Sequence, residues 1–260
     1  MKLQIFQADA FASGLFKGNP AAVVPLNKWL PDNIMQQIAA ENNLSETAFF
    51  IPEGDNFHIR WFTPLTEVNL CGHATLATAH ILFSELNFQG ELISFNSKSG
   101  ILTVGKIEDK LQLDFPADFV FLAEMNPEFS EALGAPPIAV FKGRTDYLLL
   151  FESEKIIRNM KPNFYLLKQT GARGIIVTSK GENVDFVSRF FAPGVGIDED
   201  PVTGSAHTSL VPFWSWRLNK KELAALQLSA RGGQLWCTLA DERVLIAGKA
   251  VTYLRGEIEV

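Results

Sequence analysis

The sequence predicts an α+β protein of two pseudo-symmetric lobes, each a mostly antiparallel, barrel-like sheet around one central helix. Three observations carry this prediction: an internal repeat, strand-type segments set off by Pro and Gly, and one strongly apolar helical stretch in each half. In the repeat, Phe57-His58-Ile59-Arg60-Trp61-Phe62-Thr63-Pro64 reads like Phe186-Val187-Ser188-Arg189-Phe190-Phe191-Ala192-Pro193, an offset of 186 − 57 = 129. Gly72-His73-Ala74 and Gly204-Ser205-Ala206 each open an apolar stretch, 204 − 72 = 132 residues apart. Lys98-Ser99-Gly100 and Arg231-Gly232-Gly233 each precede a strand pattern, with 233 − 100 = 133. Matches in one order with slowly drifting spacing mark two related halves, 1–117 and 118–260, with the C-terminal strand free to return to the first.

In chain order, Pro31–Glu41 is an amphipathic helix with Pro in its first turn and Asp32 near its positive end. Thr47–Ile51 is an apolar strand, entered through Ser45-Glu46. Phe57–Thr63 and Asp185–Ala192 are aromatic and β-branched strands that end at Pro. Thr75–Leu86 spaces Leu76, Ala79, Leu82, Phe83 and Leu86 as one buried helical face. Thr203–Leu218 is apolar nearly all round, and Pro212 is expected to bend that helix or lie near its first turn. Strands follow at Glu91–Asn96, Gly100–Lys106 and Lys110–Phe115, and again at Gln227–Ala230, Gln234–Leu239 and Arg243–Ala247. Pro116–Pro137 reads as the linker. No strand–glycine fingerprint–helix unit marks a nucleotide-binding doubly wound sheet.

Composition narrows the function. With 47% hydrophobic and 20% charged residues, 21 Phe, 5 Trp and 3 Tyr, the 260-residue chain is an ordinary globular protein. A net charge of −6 and scattered basic residues argue against nucleic acid or an anionic membrane as partner. Cys71 and Cys237 provide neither a disulfide framework nor a four-ligand zinc site, and His73 and His80 lack the spacing of a helical zinc pair. No apolar run approaches a membrane span, and the N-terminus is too polar for a leader peptide, so a cytoplasmic protein is expected.

The glycine-led helix starts at Gly72 and Gly204 are the first candidates for ligand contact, because glycine admits close approach and free helix N–H groups attract anions. They point to a small carboxylate substrate; the alternative is that both glycines only permit tight turns. Glu46 is the candidate acid/base. It lies beside an apolar strand whose low polarity raises the pKa of a carboxylate, and the 129-residue offset pairs it with Ile175, so it breaks the repeat in one half only. Against this stands a plain surface glutamate at a strand end. Asp198-Glu199-Asp200 precede the second helix and either complement its dipole or hold a substrate amine or hydroxyl. His73 is able to pass a proton, though a lone histidine is more often structural. Cys71, at a helix start, is a candidate thiol base. No second cysteine occupies 200–203, which disfavours a two-thiol racemase, and no nucleophile elbow surrounds Ser205.

Five motifs together resemble the PhzF-like isomerases of phenazine biosynthesis, which have the diaminopimelate epimerase-like fold. They are Gly18-Asn19-Pro20-Ala21-Ala22-Val23, Leu44-Ser45-Glu46-Thr47-Ala48-Phe49, Arg60-Trp61-Phe62-Thr63-Pro64, Cys71-Gly72-His73-Ala74-Thr75 and Asp200-Pro201-Val202-Thr203-Gly204-Ser205-Ala206. The resemblance implies that Glu46 moves a proton between carbons of a small carboxylate without metal or organic cofactor. It further implies that Asn19, Gly72, His73, Asp200, Gly204 and Ser205 bind substrate, and that the protein is a homodimer. The rival readings are an epimerase or racemase using Cys71, and a non-catalytic binding protein for a small acid.

Overall fold

The structure, a computed structural model, describes all residues from 1 to 260. By internal contacts the chain divides into two units, Met1–Asp114 with Ala247–Val260, and Phe115–Ile246.

The first unit contains β1 (Lys2–Ala10), β2 (Asn19–Pro25), α1 (Asp32–Asn42), β3 (Glu46–Glu53), β4 (Asn56–Phe62), β5 (Glu67–Val68), α2 (Gly72–Ser84), β6 (Leu92–Ser97), β7 (Gly100–Ile107) and β8 (Lys110–Pro116). β1 pairs antiparallel with β2, β2 parallel with β3, β3 antiparallel with β4, β4 parallel with β6, and β6–β7–β8 continue antiparallel. β2 carries a continuous apolar run because both of its faces are covered. Ala22 and Val24 pack with Met35 and Ile38 of α1 and with Phe49 and Phe62. Ala21 and Val23, one residue out of phase, face the other side, where α2 lies against β1, β2 and β3.

α2 is enclosed, with every residue from His73 to Ala79 buried. Its threonines are tolerated because their hydroxyls bond the carbonyl four residues back: Thr75 Oγ1 to Cys71 O at 2.5 Å and Thr78 Oγ1 to Ala74 O at 2.7 Å.

The second unit repeats the plan with β9 (Phe121–Ala123), α3 (Pro127–Leu133), β10 (Ala139–Lys142), β11 (Tyr147–Leu150), α4 (Glu154–Asn159), α5 (Phe164–Gln169), β12 (Ile175–Lys180), β13 (Phe186–Ala192), β14 (Ile197–Asp200), α6 (Gly204–Leu218), β15 (Glu222–Gln227), β16 (Gly233–Ala240) and β17 (Arg243–Gly248). Its parallel pairs, β11–β12 and β13–β15, recur at the positions of β2–β3 and β4–β6. β9 opens this sheet beside β10, while the last strand, β18 (Ala250–Glu259), runs antiparallel along β1 in the first unit. The fold is thus α+β, with mixed sheets and six α-helices.

The repeat is also visible in side chains. Arg60 Nε and Nη2 bond Glu67 Oε1 and Oε2 at 2.8 and 2.9 Å, and Arg189 Nε and Nη2 bond Glu199 in the same way at 2.7 and 2.9 Å. Each guanidinium also lies over the phenylalanine two residues on, Phe62 at 5.2 Å and Phe191 at 5.0 Å.

Several expectations need correction. Arg60 pairs with Phe49 across β3–β4, and Arg189 with Val177 across β12–β13. The offset along these strands is therefore 177 − 49 = 128, and the counterpart of Glu46 is Gly174 rather than Ile175. The two hairpins differ by one residue in length, which a fixed offset carried back through them overlooks. Gln227 ends strand β15 instead of starting one, because its side chain is drawn into hydrogen bonds with the segment before α6. Pro116–Pro137 is not a plain linker, since it holds β9 and α3, whose start is set by Asn126 accepting from Glu128 N. Pro212 sits inside α6, and the Thr208 carbonyl that it leaves without an intrahelical donor accepts from Asp118 N at 3.0 Å. No helix is long and apolar enough to cross a membrane.

Candidate active site

Period-two alternation decides which way the candidate residues point. On β3, Phe49 belongs to the cluster under α1, so Glu46, Ala48 and Phe50 face α2. On β2, Ala22 and Val24 face α1, so Asn19, Ala21 and Val23 also face α2. Ala21 is the parallel partner of Glu46, which places Asn19 and Glu46 on neighbouring strands beside the start of α2. The chain reaches Asn19 through Gly18, whose φ of +69° and closeness to the Ala10 carbonyl leave no room for a side chain.

His73, in the first turn of α2, completes the cluster. Its Nε2 lies 3.2 Å from Glu46 Oε2, close but without the alignment of a full hydrogen bond. Its Nδ1 faces Asn19 Nδ2 at 3.1 Å and Cys71 Sγ at 3.5 Å. Asn19 donates through its amide nitrogen, so Nδ1 is the acceptor and the imidazole proton is assigned to Nε2, facing Glu46. Burial pushes the His73 pKa down to about 3, so the ring is neutral at physiological pH. Glu46 retains slight exposure, whereas Asn19 is fully buried. Asn19 therefore sits behind His73 and fixes its orientation.

Cys71 is the N-cap of α2 in an extended conformation, and its side chain makes no capping bond. The helix's first N–H groups, including those of Gly72 and His73, have no side-chain cap.

The second unit gathers Asp200, Gly204 and Ser205 at the start of α6. Thr203, the N-cap there, turns its hydroxyl to Asp200 Oδ2 at 2.6 Å and leaves that helix start likewise without a side-chain cap. Gln227 organises the segment: Oε1 accepts from Thr203 N at 2.9 Å, and Nε2 donates to Asp200 O at 2.8 Å and to Thr203 Oγ1 at 3.0 Å. Ser205 is exposed, whereas Gly204 is buried. Sequence reasoning missed Gln227 entirely, because a glutamine in a strand pattern gives no sign that it will bond a loop 24 residues away.

The fold defines a class first: proteins of the diaminopimelate epimerase-like fold. A hydroxyproline epimerase of Agrobacterium vitis shares that fold, with a TM-score of 0.63 at 11% identity, over 99% of this chain and 92% of that one. Within the class, the model of the PhzC-PhzF family, phenazine biosynthesis-like protein, matches residues 8–256. An uncharacterized isomerase of Pseudomonas aeruginosa is 53% identical over 260 residues, the full length of both chains. The crystal structure of a phenazine biosynthesis PhzF-family protein of Enterococcus faecalis superposes with a TM-score of 0.98 at 46% identity, covering both chains completely. The chain belongs to the phenazine biosynthesis-like PhzC-PhzF family.

Proposed function

We propose that the protein is an isomerase that moves a proton within a small carboxylate substrate, with Glu46 as general acid/base and no metal or organic cofactor. The carrying observation is the contact between the Glu46 carboxylate and the neutral His73 imidazole, both nearly enclosed. Glu46 takes a proton from a substrate carbon and returns it elsewhere on the conjugated system, a contribution worth roughly 10²–10⁴-fold. The His73 N–H faces the Glu46 carboxylate at 3.2 Å. Because His73 is a far weaker base than an ordinary histidine, it does not capture the proton, which stays on Glu46 for return. The uncapped N–H groups at Gly72 and His73 suit a substrate carboxylate. Asp200, Gly204 and Ser205 are assigned to binding the substrate's polar groups.

The isomerase name of the Pseudomonas relative supports this reading. A homodimer, by family resemblance, and a cytoplasmic location are part of the proposal, and sedimentation tests the dimer. A screen of cyclic amino and hydroxy acids for carbon-bound deuterium uptake from D₂O tests the activity. Uptake in one of them supports an isomerase, whereas a ligand that co-purifies unchanged, with no uptake in any acid, indicates a binding protein.

A second reading has its own observation, the Cys71 thiol 3.5 Å from His73 Nδ1 at the start of α2. There the thiol would exchange the proton, as in an epimerase. Iodoacetamide would then abolish exchange in proportion to Cys71 alkylation, and Cys71→Ser would lose it while Glu46→Gln kept it.

A further inference from the structure

We propose that Glu46, Cys71 and His73 form a three-ligand site for zinc(II), and that zinc bound there silences the proton transfer. Each residue offers one donor atom, and these atoms all lie within 4.8 Å of one another. Cys71 Sγ lies 3.5 Å from Nδ1 and Glu46 Oε2 3.2 Å from Nε2, so each flanks its own ring nitrogen at about the spacing of two ligands on a tetrahedral ion with bonds of about 2.0–2.3 Å. A single ion uses one imidazole nitrogen, so one of the two flanking groups has to close by a side-chain rotation.

The donor set selects the metal. One thiolate, one imidazole and one carboxylate suit zinc, whereas magnesium and calcium require mainly oxygen. Charge also balances: the carboxylate and thiolate bring two negative charges to one dication, and the Cys71 thiol releases its proton to solvent on binding. The imidazole is neutral without the metal, so no proton has to leave it. The positive end of α2 opposes the cation with about half a charge, less than the two ligand charges supply.

Three protein ligands leave the fourth position open, the pattern of zinc sites that accept water or a substrate oxygen. This arrangement escapes a sequence search, because its members come from the start of β3 and the first residues around α2, without the pair spacings of helical or finger-type sites. Binding stands apart from the isomerase reading; the silencing rests on Glu46 being the base.

Cobalt(II) titration of the full-length, metal-free protein tests the binding directly. The expected result is one equivalent of cobalt with intense tetrahedral visible bands and a thiolate-to-cobalt charge-transfer band, both erased by zinc. Cys71→Ser should lose the charge-transfer band and bind at least tenfold more weakly, while Cys237→Ser, which alters a thiol buried in the second unit, keeps both signals. Should Cys71→Ser fail to fold, Glu46→Gln decides: weaker binding with the thiolate band retained supports the site, and unchanged binding overturns it. A wild-type protein without a thiolate band also overturns it, as does a band that follows Cys237. Deuterium exchange measured with a chelator and then with added zinc separates the two claims. Exchange that survives a saturated site overturns the silencing, whereas no exchange under either condition counts against the isomerase reading.

Discussion

The Nδ1 atom of His73 accepts from the side-chain amide of Asn19, 54 positions earlier, at 3.1 Å, and this bond holds the imidazole proton on Nε2, the nitrogen that faces Glu46. Without it, the imidazole proton is free to move to Nδ1, leaving a lone pair aimed at the carboxylate. Replacing Asn19 by Leu should shift His73 towards the Nδ1–H tautomer, which ¹⁵N chemical shifts of the imidazole report. Stability should fall by about 1–3 kcal/mol, the cost of a buried polar atom without its partner.

Two buried histidines predict an acid-sensitive fold. Burial lowers His73 to about 3 and His207 to about 4, against about 6.5 in the unfolded chain. Between those values the unfolded state binds protons that the folded state refuses, so stability rises with pH across that window. The contribution is complete above about pH 6.5 and is lost as pH falls towards 4 and then 3, at about 1.4 kcal/mol per histidine for each pH unit. Urea unfolding at stepped pH should show this slope, and His207→Asn should remove His207's share of it.

The Arg189–Glu199 pair predicts an unequal response to a substitution that preserves charge. Arg189 Nη1 also donates to the Ile157 and Met160 carbonyls, at 3.1 and 2.7 Å. A lysine cannot span a bidentate carboxylate and two carbonyls at once. Arg189→Lys should therefore cost about 1–3 kcal/mol, the range for buried polar groups left without a partner. Arg60→Lys should cost less, because the Arg60 guanidinium has the exposed Asp32 as its other partner instead of backbone carbonyls. Denaturant unfolding of the two variants compares them.

These pairs also show what the sequence reveals. Arg60 and Arg189 are visible as equivalents because each lies in a strand pattern ending at Pro, and local pattern reports strand and face directly. The uncapped glycine-led starts at Gly72 and Gly204 are legible for the same reason, and so is Glu46 at the entrance to an apolar strand. The contacts that turn these residues into a cluster are not. Asn19 meets His73, and Gln227 meets Thr203, only through tertiary packing, and neither partner alters the local pattern of the other. Strand β9, three residues long within the Pro116–Pro137 segment, is too short to show an alternating pattern. The short helices α3 to α5 span too few turns to show a helical period.

Gln227 predicts a test of the second cluster. Gln227→Leu leaves the buried Thr203 N and the half-buried Asp200 carbonyl without this partner, at about 1–3 kcal/mol for the buried N–H. Thermal unfolding should register the loss. If Asp200 and the start of α6 bind substrate, KM should rise more than kcat falls, while Gln227→Glu, which keeps the Thr203 N contact, should recover part of the stability.

The most direct measurement is carbon-bound hydrogen exchange with D₂O in Glu46→Gln, using whichever acid the wild-type protein labels. The amide that replaces the carboxylate keeps its shape and its contact with His73 but cannot take up a proton. The account predicts loss of exchange by at least about 10²-fold with substrate affinity nearly unchanged. Exchange at the wild-type rate in that variant would contradict it.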